Sequence, residues 1–167
     1  QTAALLVSRL AGIKRAVETT ASRPELGALL ARRDYAALQS LIDEEGVRHD
    51  DLDGSSPFAS LFVIDARDGE MVVRWPTPDP EAKGIDLRVR DYYRGLLASP
   101  AAGAYVSRAF RGVTDKLFRF GVSARVIHEQ QTAGVVVGTV TTDDRMGLPD
   151  VGHESLVTAV LPRRDHN

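Results

Sequence analysis

The sequence predicts an α+β domain: an antiparallel sheet of five or six strands with helices on one of its faces. Three observations predict it. Apolar residues in the first 48 positions of the 167-residue chain recur at helical spacing. Positions 58–142 then read mostly as strands. Short links join most of those strands, which favours antiparallel neighbours, and one loop-and-helix insertion interrupts the series.

Leu6, Leu10, Ile13 and Val17 fall on one face of a first helix. Such a seam suits packing on the sheet or on the same helix of a second copy, so a homodimer through this helix is one expectation. Ser22-Arg23-Pro24-Glu25 reads as a capping box that opens a second helix bearing Leu26, Leu29 and Leu30. Asp34 caps a third segment with Leu38, Leu41 and Ile42, and Gly46 is placed to end it. The polar stretch from Asp50 to Pro57 is a loop. Leu61 to Ile64 and Met71 to Trp75 are strands joined by a turn with an Asp68-Gly69 signal, and Pro76, Pro78 and Pro80 stop the second. Arg90 to Leu97 is a short helix. Strands follow at Ala104 to Phe110, Lys116 to Ile127 and Gly134 to Thr142. The last is rich in valine and continuous, hence central and covered. Leu156 to Leu161 reads as one more strand. Positions 143–167 form a C-terminal extension that reads as an edge strand or the start of a second module.

Composition excludes several classes. With 21 basic and 23 acidic residues the net charge is -2, which lacks the basic excess of a nucleic-acid surface. There is no cysteine, so no disulfide frame, thiol nucleophile or zinc-thiolate cluster. No run reaches the roughly 20 apolar residues of a membrane span. The chain begins at Gln1 without an initiator Met and enters helical periodicity at once, which reads as a fragment of a longer, membrane-anchored protein. Serine hydrolase, zincin and P-loop frames are missing. His49, Asp51, Asp53 and Gly54 fit early positions of a calcium loop, but Ser60 stands where its bidentate Glu belongs, so a solvated acidic loop is the better reading. His49, His128, His153 and His166 are scattered, and no metal or cofactor is expected.

The informative segment runs from Gly84 through Arg90-Asp91-Tyr92-Tyr93 to Leu97. Arg90, Tyr92 and Tyr93 lie within one helical turn. A guanidinium fork recognises a carboxylate, and tyrosines supply walls with a polar tip. The plainer reading is a surface salt bridge with packed rings. The segment Phe62 to Gly69 ending at Trp75-Pro76, the run Gly84 to Leu87 with Arg90 to Tyr93, and the strands Tyr105 to Ser107, Phe120 to Val126 and Gly134 to Gly138 stand in a characteristic order. In that order, over positions 1–142, the chain resembles extracytoplasmic Cache domains. These are the PAS-like sensor modules of bacterial transmembrane receptors.

The resemblance implies a five- to six-stranded antiparallel sheet with the long N-terminal helix packed on it. It also implies a ligand pocket between the sheet and the insertion. In amino-acid-binding members an Arg followed by two aromatics grips the ligand carboxylate; here these are Arg90, Tyr92 and Tyr93. Downstream Asp residues hold the amine there. Asp115 is the nearest such acid, although its surroundings read as a turn, so the ligand is an amino acid or an organic acid without an amine. Tyr105 and Ser107 share one strand face and line the pocket if that face is inward. Phe118, Phe120, Val122, Ala124 and Val126 share the covered face of their strand, which turns Ser123 and Arg125 away and counts against them as pocket residues. Arg108, Arg111 and Arg119 read as solvated surface. The implied function is a periplasmic ligand sensor, with no enzymatic activity, that signals to a cytoplasmic output domain. The alternative is a ligand-free dimerising or docking module, with Arg90 paired to Asp86, Asp91 or another acid.

Overall fold

The computed structural model describes residues 3–49, 58–101, 103–111 and 118–141. The order is α1 (Ala3–Ala21), α2 (Pro24–Arg32), α3 (Tyr35–Arg48), β1 (Ser60–Asp65), β2 (Met71–Trp75), single 3-10 turns at Pro80–Ala82 and Leu87–Val89, α4 (Asp91–Leu97), β3 (Tyr105–Val106), β4 (Phe110–Arg111), β5 (Phe118–His128) and β6 (Gln131–Thr141). Every pairing is antiparallel, and the sheet order is β2-β1-β6-β5-β3 with β4 also on β5. The expected α+β class and sheet are met, with β6 central as its valines require.

The helices α1 to α3 form a layer on one face. Ile13 and Val17 are buried against the sheet, and Leu10 packs beside them. Three of the four seam residues thus pack on the chain's own core. Leu26, Leu30, Leu38 and Ile42 join Leu61, Val63, Val122, Val126 and Val136 in the same cluster. Asp34 caps α3 as expected, accepting from the Ala37 N–H at 3.2 Å. The capping box at Ser22 does not form. Ser22 donates its hydroxyl back to the Glu18 carbonyl, and Arg23 is the N-cap residue, without a side-chain cap. Arg23 reaches instead to Glu45, a fully buried carboxylate that Arg48 and Thr20 also contact. Gly46 does not end α3, which runs to Arg48. Its role is close approach: a Cβ there would collide with the Trp75 indole on β2. Gln39 of α3 covers the exposed edge of β2, donating to the Arg74 carbonyl and accepting from the Arg74 N–H.

Asp65 ends β1 fully buried. Burial alone would push its carboxyl up, but hydrogen bonds from the Arg67 side chain and backbone outweigh this and hold it below the usual carboxylate range. Arg67 also donates to the Leu30 carbonyl, so the β1–β2 turn is tied to α2. The β5–β6 hairpin turns at Glu129 and Gln130, both at positive φ (50° and 65°). Both signs match a tight primed turn. The expected single strand from Ala104 to Phe110 is two short pieces, β3 and β4, separated by Ser107 to Ala109.

Side chains alternate across the sheet, so its second face carries Phe62, Ile64, Val135 and Val137. Leu87, Tyr92, Tyr93 and Leu96 of the insertion cover them in a separate core. Both faces of the sheet are thus covered, not one.

Candidate ligand-binding site

A cavity of about 330 Å³ lies on this second face, between the strands and the insertion. Its floor is sheet: Ser60 and Phe62 of β1, Thr139 of β6, Arg119 of β5 and Arg74 of β2. The Ser60 and Thr139 hydroxyls hydrogen-bond to each other in it. Its roof is the segment from Thr77 to Ala82 together with Leu87, Tyr92 and Phe110. That size is at the low end for small-molecule sites.

The roof has identifiable supports. Arg74 donates to the Thr77 carbonyl at 2.6 Å, so β2 holds the start of the loop. The Asp79 side chain accepts from the Glu81 N–H and starts the 3-10 turn at Pro80. The Asp86 side chain caps the second 3-10 turn and pairs with Arg88. On the sheet side, Ser123 donates to the Tyr92 carbonyl at 2.6 Å and Arg125 donates to the Leu96 carbonyl at 2.5 Å. Two sheet residues that the sequence directs away from the covered face therefore anchor α4 from the insertion side. The face assignment holds; the step that assumed a single covered face does not.

The sequence-predicted residues separate into those at the cavity and those beside it. Tyr92 lines it. The ring is 3% exposed and sits edge-on to Phe62 and Phe110, with centroids 5.8 and 5.3 Å away. Burial pushes its hydroxyl up to about 12, against a small opposing pull from Arg90. Arg90 is the N-cap residue of α4, and its Cζ lies 6.0 Å from the centroid of Phe110, itself a wall residue. Neither Asp86 nor Asp91 pairs with it: Asp86 holds Arg88, while Asp91 accepts from the Tyr105 hydroxyl at 3.0 Å and the Arg108 N–H at 2.8 Å. Tyr93 points into the core of the insertion, where burial raises its hydroxyl. Tyr105 packs against Gly95, and Ser107 bridges the Gly121 N–H and the Arg108 carbonyl; neither lines the cavity. Asp115 lies outside the described residues.

Arg108 and Arg111 are exposed, as the sequence suggests, but Arg119 lines the cavity. The β4–β5 register places it opposite Phe110, and no local pattern announces that pairing. The family resemblance implies a pocket under the insertion, but the three prolines by themselves signal only where β2 stops, not which loop residues form the roof. Among the described residues no group of acids and histidines could hold a metal, and no helix is long and apolar enough to cross a membrane.

No protein-family model and no curated protein sequence matches the chain. Solved structures do. The ligand-binding domain of the Pseudomonas aeruginosa amino acid chemoreceptor PctC, in complex with GABA, is 27% identical with a TM-score of 0.64, covering 83% of this chain and 58% of that one. The domain of Pseudomonas fluorescens chemoreceptor CtaA with L-alanine is 20% identical, TM-score 0.60, covering 83% and 54%. That of P. aeruginosa PctB with L-Arg is 17% identical, TM-score 0.62, covering 89% and 57%. The chain spans little more than half the length of each. It therefore has the fold of chemoreceptor ligand-binding domains, the Cache-type sensor architecture that its sequence resembles.

Proposed function

We propose that this chain is the ligand-binding part of an extracytoplasmic receptor and that it takes a small amino acid or organic acid into the cavity under α4. The observation that carries the reading is the cavity itself. A sensor needs space between two elements that can move relative to one another, and this space separates the sheet from a roof held by a small apolar core and a few hydrogen bonds. The amino acids bound by PctC, CtaA and PctB support the ligand class. Tyr92 and Phe110 supply the wall, Arg119 a guanidinium from the floor, and Arg90 a second one over the Phe110 ring. Binding favours one arrangement of the roof and passes the change through the sheet to α1 and onward to an output domain. The ligand can shift that balance only by its differential affinity for the two arrangements.

The test is a thermal-shift screen of amino acids, organic acids and amines on the wild type and on the folded variants Arg90→Ala and Arg119→Ala. A ligand at about 100 times its Kd adds about 2.7 kcal/mol, which is roughly 5 to 11 °C in Tm for a domain of this size. A carboxylate that stabilises the wild type and loses most of that effect in either variant supports the reading. If no compound stabilises the wild type, a ligand-free dimerising or docking module becomes the better account.

A further inference from the structure

We propose that the β1–β2 turn, residues 66–70, is a joint that carries movement of the cavity's cover to the helical layer. Its use in signalling rests on the sensor reading above; the coupling itself does not, and it is tested without a ligand. The turn is bonded to both layers. On the insertion side, the Leu87 N–H donates to the Gly69 carbonyl at 2.8 Å. Leu87 is buried and lines the cavity, so a ligand that displaces it pulls on this hydrogen bond. Gly69 stands at φ 75°, and a Cβ there would run into the Asp86 carboxylate and the Arg88 side chain. On the helical side, Arg67 donates to the Leu30 carbonyl at 2.6 Å, in the last turn of α2. That carbonyl also accepts from the Arg33 N–H at 3.1 Å, in the corner between α2 and α3. Tyr35, the first residue of α3, donates to the Asp65 carboxylate at 3.2 Å.

Between these contacts the turn is stiff. The Gly69 N–H donates to the Asp65 carbonyl at 2.9 Å, and the Asp65 N–H to the Glu70 carbonyl at 3.0 Å. The Glu70 N–H donates to the Asp68 carboxylate at 3.0 Å. Arg67 clamps the buried Asp65 carboxylate through Nε and Nη2, at 3.0 and 2.6 Å. The Ala66 N–H donates to the Ala133 carbonyl of β6 at 3.0 Å, which gives the turn a fixed point on the central strand. A rigid element gripped from two sides passes displacement on, whereas a loose loop absorbs it. Ser123 and Arg125, by contrast, tie α4 to β5, so loosening α4 there leaves this joint in place.

Amide hydrogen exchange of the full chain without ligand, read residue by residue by NMR, tests this, with circular dichroism as the folding check. Asp86→Ala removes the side chain that caps the 3-10 turn Leu87–Val89 and accepts the Arg88 N–H. It should quicken exchange at Arg33, in the other layer, about threefold to tenfold. In the opposite direction, Arg67→Lys keeps a cation beside Asp65 but withdraws the fork from Leu30. Exchange at Leu87 should then quicken by a similar factor, because coupling between two sites is reciprocal. Tyr35→Phe removes one hydroxyl and repeats that reading if Arg67→Lys does not fold. Val137, in the central strand β6, should keep its wild-type rate in every variant. The proposal is overturned if either perturbation stays on its own side of the turn. It is equally overturned if Val137 quickens by the same factor, since the whole domain then opens together. None of these outcomes touches the sensor reading, which stands or falls on the thermal-shift screen.

Discussion

The two faces of the sheet are built differently. The helical face is closed and mostly apolar: Val17, Leu26, Leu38, Ile42, Leu61 and Val136 are all within 1% of full burial, with three helices sealing them and one buried carboxylate, Glu45, among them. The insertion face has a smaller core, and polar side chains from the sheet hold its cover in place. Ser123 and Arg125 grip α4 through backbone carbonyls, Arg74 grips the roof loop, and the cavity lies between. Hydrogen bonds of this kind contribute about 1 kcal/mol each, whereas a buried leucine contributes several times more. The contrast teaches a division of labour within one sheet. The helical face fixes the fold, and under the proposed sensor reading the insertion face is the part that a ligand would bias.

The largest expected effect lies on the helical face. Leu38 is fully buried among helices and strands. Leu38→Ala is expected to cost about 2 to 5 kcal/mol in urea unfolding. The Tm increment from a saturating ligand should survive, because nothing in the cavity has changed. If that increment disappears together with the stability, the two faces are not separable and the contrast fails.

An intermediate effect belongs to Tyr92, on the other face. Its hydroxyl is held up at about 12, while in the unfolded chain it returns to the ordinary 10. A raised value means that the fold favours the protonated form. The resulting stability is complete below about pH 10 and is lost as the pH climbs from 10 toward 12. Linkage puts the total at about 2 to 3 kcal/mol. Unfolding midpoints measured at pH 8 and pH 11.5 should converge for the wild type and Tyr92→Phe in their pH dependence only if Tyr92 is not the cause. The expected result is a shallower alkaline loss in Tyr92→Phe. Tyr35 and Tyr93 are also raised, by burial, so part of the loss remains.

How much could be read in advance follows the same division. The helical face was legible because its signal is periodicity: Leu26, Leu38 and Ile42 mark their own inward positions, and Asp34 announces a cap. The central place of β6 was legible from its run of valines. The insertion face was legible only in part. Tyr92 stood out within Arg90-Asp91-Tyr92-Tyr93. Arg119 did not, because its role depends on a β4–β5 register that joins residues across a break in the strand. Ser123 and Arg125 escape the sequence reading because alternation tells which residues share a face but not whether that face is covered. Of the cover, α4 is legible as the short helix Arg90 to Leu97, but Pro80–Ala82 and Leu87–Val89 are single turns too short for periodicity to reveal. Gly46 misled because a glycine near a helix end signals a C-cap, whereas here an indole from another element needs the room.

The smallest effect is the most discriminating. Ser123 is fully buried, and its hydroxyl ties β5 to the first turn of α4. Ser123→Ala removes that tie and no bulk beyond one oxygen. The Tyr92 carbonyl keeps its place in the helix, and Arg125 still holds Leu96, so the loss should be about 1 kcal/mol. The location of the loss matters more than its size. If the insertion is a separately held cover, amide hydrogen exchange should quicken in α4 and in the Thr77 to Ala82 loop. Exchange in α1 to α3 and in the centre of β6 should stay near its wild-type rate, since those amides open only with the whole domain. A uniform acceleration across both faces would mean that the cover and the helical layer open as one unit. A ligand seated under α4 would then have no separate element to move, and the signal would have to travel by a shift of the entire domain.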